Sequence, residues 1–242
     1  MSNVILVIGA NSDIAKEISK LYIEKNNFLY LLTSNENELL SFENGIFNNK
    51  NVRIDKIDYN KNSYLSEYLD KIEKKPDTIL IANGYIGNNL KFSQNEFSKI
   101  LSINFVDVVN NIEQTIEYFL KNKIIGKIAV ITSVAGIKGR AKNYIYGSAK
   151  SALITYLSGL RQKYHSKNIL ITTIFLGFVN TKMLRTSENK ISNFLVSEPK
   201  KISINIFNAI QKGQDLYFPI KWRLIMSILN IIPEKIFKKL KF

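Results

Sequence analysis

VILVIGANSDIAKEI, residues 4–18, is the stretch on which the fold turns. Five apolar residues run into one glycine, Gly9. A polar group, Asn11, Ser12 and Asp13, then opens a segment with apolar residues at 14, 15 and 18. An unbroken apolar run suits a strand covered on both faces, and the later spacing suits an amphipathic helix. A strand, a glycine turn and a helix start make a phosphate site, because the first N–H groups of a helix have no partner within it. Asp13 works against this, since a carboxylate facing a phosphate would repel it. It is expected to turn toward the first backbone N–H groups of the helix or toward solvent. Read alone, one glycine in such a turn is a poor reason to propose a dinucleotide site; if segments further along the chain supply one, Gly9, Asn11, Ser12 and Ile14 are left to approach the cofactor.

The same alternation continues along the chain. Apolar runs at 4–8, 28–32, 52–54, 78–82, 127–132, 169–175 and 216–218 alternate with helical patterns at 13–25, 35–43, 61–75, 93–121, 143–165 and 199–212. This predicts βαβ units: an α/β fold with a doubly wound parallel sheet of about seven strands in one domain, residues 1–218. Residues 219–242 form an extension. Ligands of such sheets bind beyond the carboxyl ends of the strands, so the residues just after each run carry the interest.

Composition narrows the chemistry. The chain of 242 residues has no cysteine and one histidine, His165. Disulfides, thiolate catalysis and thiolate or multi-histidine metal sites are thereby excluded, and no metal is expected. His165 lies in the polar stretch KYHSKN that closes a helical pattern, a surface position. The apolar run after Met1 lacks the basic flank of a signal peptide, and no run reaches the roughly 18 apolar residues of a spanning helix. The expected compartment is the cytoplasm, at the inner face of the membrane if the extension binds lipid. The net charge of +14 suits an anionic partner, although a chain rich in Lys, Asn and Ile throughout places many lysines on solvated faces. Nucleic-acid binding would rest on charge alone and is not expected.

Three segments after predicted strands carry candidate chemistry: ITSVAG, YIYGSAK and LGFVNTKM. Tyr146 and Lys150 stand four apart on one helical face. A phenol is a poor acid or base near neutrality, and an ammonium beside it stabilises the phenolate. Tyr146 then exchanges a proton with a substrate oxygen, which Ser133 hydrogen-bonds as charge develops. Such a set suits carbonyl–alcohol interconversion with hydride from a nicotinamide. A lone Tyr-x-x-x-Lys is common on helices, so the weight lies in the combination.

In order and spacing, that combination resembles the short-chain dehydrogenase/reductase family over residues 3 to about 218. The resemblance implies a Rossmann-type fold and a catalytic set of Ser133, Tyr146, Lys150 and Asn104, the last in LSINFVDV and holding a water that links Lys150 to solvent. Tyr144 precedes no lysine at the required spacing. GANSDIA aligns with the family's Gly-x-x-x-Gly-x-Gly turn, with Asp13 and Ala15 in place of the last two glycines. Asp58 falls where the family's aspartate meets the adenine amino group. LIANG stands for the family's Asn-Asn-Ala-Gly turn, with Ala82 and Asn83 departing from it before Gly84. LGFVNTKM resembles the Pro-Gly motif with Leu176 for proline, which implies that Gly177, Val179 and Thr181 approach the nicotinamide and its phosphates. The family also implies a homo-oligomer. The second strand ends in LLTSN, with no carboxylate at Thr33 or Ser34 to hold the ribose hydroxyls of NAD, so NADP(H) is favoured over NAD(H).

Two basic loops frame the expected substrate mouth. GIKGRAK carries Lys138, Arg140 and Lys142, and TKMLRTSENK carries Lys182, Arg185 and Lys190. They suit a phosphorylated or otherwise anionic substrate. From Lys221 onward, six Lys/Arg stand against one acidic residue, Glu234, around an apolar stretch at 222–232. Such a tail either lies on an anionic membrane surface or docks as a helix on the domain or a second subunit. With GANSDIA, it is similar to a bacterial subset of the family, the decaprenylphosphoryl-ribose 2-keto reductases and surface-polysaccharide reductases. The expected activity is reduction of a keto group on a phosphorylated or lipid-linked sugar. The alternatives are a 3-oxoacyl-thioester reductase and, from another class, a cofactor-binding regulator without turnover.

Overall fold

Val4–Ile8 forms β1, an inner strand of a parallel seven-stranded sheet, in a computed structural model that describes residues 3–57, 64–88, 91–185 and 192–240. The other sheet strands are β2 (Phe28–Thr33), β3 (Val52–Lys56), β4 (Thr78–Ile81), β5 (Gly126–Ser133), β6 (Ile169–Leu176) and β9 (Leu216–Tyr217), and two short strands, β7 (Phe178–Val179) and β8 (Val196–Ser197), pair with each other. The order is β3-β2-β1-β4-β5-β6-β9, all parallel. The direction of winding reverses between β1 and β4, which opens a crevice at their carboxyl ends. The predicted Rossmann-type α/β architecture is present.

Each face of the sheet has its own helix layer. Leu6 and Ile8 of β1 face a core formed with α3 (Tyr64–Lys71), α5 (Asp107–Asn122) and α6 (Tyr144–Tyr164). Ile5 and Val7 face the other core, made with α1 (Asp13–Glu24), α2 (Glu36–Leu40) and α8 (Pro199–Gln211). Successive strand residues point to opposite faces, so a strand sandwiched between helices has to be apolar at every position. Burying each such Ile or Leu contributes about 1.5–3 kcal/mol.

The elements depart from the sequence pattern in three places. The pattern at 35–43 stops at Leu40, because Glu43 and Asn44 adopt left-handed φ of 41° and 58°. The long pattern at 93–121 divides into α4 (Gln94–Leu101), a π-helical turn at Ser102–Val106 and α5. The paired two-residue strands β7 and β8 were not foreseen, being too short to show a period. After β6 come α7 (Lys182–Arg185) and later α9 (Ile220–Ile231) and α10 (Glu234–Phe237). No helix among the described residues is long and apolar enough to cross a membrane.

Candidate active site

β5 delivers Ser133 to the carboxyl edge of the sheet. Its Oγ accepts a hydrogen bond from the Ala135 N–H (3.1 Å) and so caps the short turn Val134–Gly136. With that acceptor role filled, the hydroxyl proton is left to donate. α6 starts eleven residues later and carries Tyr146 and Lys150 one turn apart on its inner face; both are buried, whereas Tyr144 is exposed. Ser133 hydrogen-bonds the Tyr146 side chain. Lys150 is 2% exposed, with Nζ 3.4 Å from the Ile131 carbonyl and 5.7 Å from the centre of the Tyr146 ring.

Electrostatics at this set differ from the sequence expectation. Burial pushes the Tyr146 phenol up to about 12, against the Ser133 hydrogen bond and the Arg140 guanidinium, which both pull it down. Lys150 is not among those downward influences. Burial lowers Lys150 itself to about 8. Desolvation penalises the charged form of either group, and here it outweighs their neighbours. Near pH 7 Tyr146 is therefore a neutral phenol that still holds its proton, and Lys150 is an ammonium whose hold on its proton is weakened by burial.

Asn104 sits, fully buried, in the π-helical turn. Its Nδ2 donates to the carbonyls of Tyr85 (2.7 Å) and Ile100 (2.8 Å), and its Oδ1 accepts from the Tyr85 N–H (3.1 Å). The side chain thus pins the segment after β4 to the floor of the cleft. A π-turn moves one residue out of helical register, and such turns recur at functional sites.

The turn after β1 lies close against the turn after β4. Gly9 has φ of 79°, and a Cβ there would come 2.9 Å from the Asn83 N and 3.0 Å from the Ala82 C. Only glycine allows the loop to lie so close to the turn after β4. Ser12 caps α1 without spending its side chain on the helix, and the Asp13 carboxylate is also turned from the helix N–H groups. It accepts instead from the Lys182 N–H (2.7 Å), with Lys16 Nζ at 3.6 Å and Arg185 Nη2 at 3.8 Å. The expected cap or solvent-facing role is thus replaced by a bridge to α7, neutralised by two cations. A helix N-terminus that its N-cap Ser12 does not cap with its side chain, a glycine cradle and a diverted carboxylate fit a dinucleotide pyrophosphate.

At the neighbouring end of β2, Ser34 is exposed and Thr33 is buried, with its hydroxyl donating to Asn11 Oδ1 and Asn35 O and accepting from Asn35 N. The Asn11 amide donates to Asn35 O (3.1 Å) and Glu38 Oε2 (3.2 Å), and Glu38 is paired with Lys16 at 2.9 Å. Asn11 is thereby a wall between the loop and β2. The sequence reading missed Glu38, which lies beyond the strand end where a ribose-binding carboxylate was sought. Its charge is held by Lys16. Asp58 lies outside the described residues, as does Lys190.

Beyond β6, Gly177 has a reason of its own to be glycine. The Trp222 indole of α9 occupies the place where a Cβ would stand. Val179 is buried in β7, and Thr181 Oγ1 donates to Val179 O and accepts from Leu184 N, capping α7. Met183 of α7 reaches to 3.4 Å from the Cβ position of Gly84, so α7 covers the turn after β4. The basic rim is only partly free: Lys138 pairs with Glu234 (3.2 Å) and lies over Phe237, and Arg185 donates to Asn180. Arg140 is different. Its Nε is buried without a hydrogen-bond partner among the described residues, and its charge acts on Tyr146. Sequence reasoning placed Arg140 at the substrate rim but not beside the phenol, because the loop that returns it there has no periodic signal.

The comparisons agree with this geometry. The sequence model of the family described as short chain dehydrogenase matches residues 3–192. An uncharacterized oxidoreductase of Listeria monocytogenes is 29% identical over 197 residues, covering 78% of this chain and 79% of its own. The 3-oxoacyl-acyl-carrier-protein reductase FabG of Chlamydia trachomatis is 24% identical over 199 residues, covering 78% of each. Among solved structures, a short chain dehydrogenase from Burkholderia cenocepacia in complex with NADP superposes with a TM-score of 0.80 at 15% identity, covering 100% of this chain and 98% of its own. ElxO with NADP bound gives 0.77 at 18% identity, covering 89% and 94%. The match of the family model over most of the chain, on a fold with the same layout, identifies it: the protein belongs to the short-chain dehydrogenase family of oxidoreductases.

Proposed function

We propose that the protein is an NADP(H)-dependent reductase that converts a keto group to an alcohol on a phosphorylated or lipid-linked sugar used in cell-envelope polysaccharide synthesis. The observation that carries the reductive reading is the placement of Ser133, half-buried at the carboxyl edge of β5, against the buried Tyr146 and Lys150 of α6, with Tyr146 held as a neutral phenol. NADPH, when bound, supplies the hydride. Gly9, Ser12 and Ile14 hold its pyrophosphate, and Ser34 lies where a 2′-phosphate meets no carboxylate of its own. Ala82, Asn83 and Gly84 line the cofactor cleft, and Val179 and Thr181 close it. That two structural relatives are NADP complexes supports this preference.

Ser133 donates a hydrogen bond to the keto oxygen and orients it. Tyr146 gives that oxygen its proton, the Arg140 guanidinium favours the phenolate left behind, and the Lys150 ammonium would hold the ribose hydroxyls of the cofactor. Asn104, fixed by Tyr85 and Ile100, keeps one Oδ1 lone pair for the water of a proton path toward Lys150. The unpartnered Arg140 Nε beside Tyr146 supports an anionic group close to the reacting carbon. A second reading, 3-oxoacyl-thioester reduction, is favoured by the FabG relative.

The test is consumption of NADPH and NADH against phosphorylated keto-sugars, lipid-linked keto-sugars and acetoacetyl thioesters. Preference for NADPH with a sugar supports the first reading, and faster turnover of the thioester replaces it with the second. In the same assay Tyr146→Phe lowers turnover about 10²–10⁴-fold, while NADPH titration by fluorescence stays within about twofold of the parent. Unchanged turnover would remove Tyr146 as the acid.

A further inference from the structure

α9 touches the body of the protein along one side only. Trp222 and Met226 are buried among Val134, Phe175 and their neighbours, and Ile225 and Leu229 are half-buried beside them. On the opposite side Ile220, Leu224, Ile228 and Ile231 are 70%, 61%, 64% and 81% exposed. At about 100° per residue these four fall within an arc of about 80°. A helix at the surface of a soluble domain ordinarily carries charged and polar groups there. Here the helix is apolar on both sides, has no acidic residue, and places Lys221 and Arg223 at the two margins of the exposed arc. Beyond its end Lys235, Lys238 and Lys239 are exposed together with Ile236 and Leu240.

The charge decides what covers this stripe. A second copy would bring two tails of net positive charge against each other. An anionic bilayer supplies an apolar layer for the isoleucines and leucine and negative headgroups for the lysines and arginine. We propose that the exposed face of α9 docks on an anionic membrane surface. Phe194, 76% exposed, joins the same surface, because its carbonyl accepts a hydrogen bond from Lys221 and its ring lies 4.2 Å from the Lys221 ammonium. The inner face of α9 packs on Gly177 and on Val134, next to Ser133. The catalytic cleft is therefore held about one helix diameter, roughly 10 Å, from the lipid. This inference stands apart from the choice of substrate.

The test floats the full-length protein with vesicles of phosphatidylcholine alone and of phosphatidylcholine with phosphatidylglycerol. The protein is expected to rise with the phosphatidylglycerol vesicles only, and to be partly released by salt. Leu224→Asp/Ile228→Asp is expected to lose at least tenfold of the bound fraction at an unchanged melting temperature, since both side chains are exposed. Should that pair fail to fold, Leu224→Ser/Ile228→Ser serves for the same comparison. Lys235→Glu/Lys238→Glu/Lys239→Glu is expected to lose the preference for phosphatidylglycerol. Wild-type protein that stays at the bottom, or a stripe variant that floats equally well, overturns the proposal. So does light scattering that finds a dimer dissociated by the stripe substitutions, because a second copy then covers the face.

Discussion

Lys150 puts an ammonium where water hardly reaches, and that sets a pH limit on the chemistry. Its ordinary value near 10.5 is lowered by burial to about 8. The ammonium is present below that value and lost as pH rises through it, whereas Tyr146 stays a phenol to about 12. Reduction is expected to hold from pH 6 to 7.5 and fall about tenfold per unit above roughly pH 8, with the loss belonging to Lys150. A pH–rate profile checks this, and Lys150→Arg, whose guanidinium keeps its charge, should remove the alkaline limb from whatever activity it retains. Asp13 supports a second expectation. Its hydrogen bond protects the Lys182 amide, so Asp13→Ala should speed hydrogen exchange at that amide at least tenfold while the β1 amides are unchanged. Ser133, Tyr146 and Lys150 were legible in the sequence because their geometry is set by one strand end and one helix. The bridge from Asp13 was not, because its partner lies 169 residues away and a carboxylate carries no sign of which N–H it will meet.

At the level of elements, the contact between α9 and the segment after β6 is the one most open to a stability measurement. Trp222 and Gly177 form a single fitted pair. Gly177→Ala forces the indole to move and should cost about 1–3 kcal/mol. Trp222→Ala leaves a cavity and should cost about 3–5 kcal/mol. Denaturant unfolding separates these from the near-neutral effect expected of Leu224→Ser on the exposed side of the same helix. The sequence left three places for this helix: a membrane surface, the domain or a second subunit. The structure packs one side on the domain, a choice that hydrophobic periodicity could not reveal in a helix apolar on two opposite sides. The π-helical turn at Ser102–Val106 escaped for a related reason: one extra residue in a turn hardly disturbs the apolar period on either side. Strands β1, β2, β4, β5 and β6 were legible because both of their faces are covered, so their apolar runs are continuous.

Across the whole molecule, the two main cores lie on opposite faces of one sheet, and the order of its strands decides where the crevice opens. The order β3-β2-β1-β4-β5-β6-β9 was foreseeable in kind from the βαβ alternation, though the two-residue pair β7–β8 was not. That order carries a consequence for the way the chain folds. β1 pairs with β2 after a single crossover, but its other neighbour is β4, with Ile5 opposite Thr78. Two complete strand–helix units have to form, or be held aside, before the crevice between β1 and β4 exists. Loop closure over such a span is lost before any contact repays it, which makes parallel sheets of this kind slow to assemble. The phosphate loop after β1 meets the Ala82–Asn83 backbone only across that span, so the dinucleotide site is expected to be completed late, and a chain that has not yet paired β1 with β4 is expected to gain no protection from the cofactor.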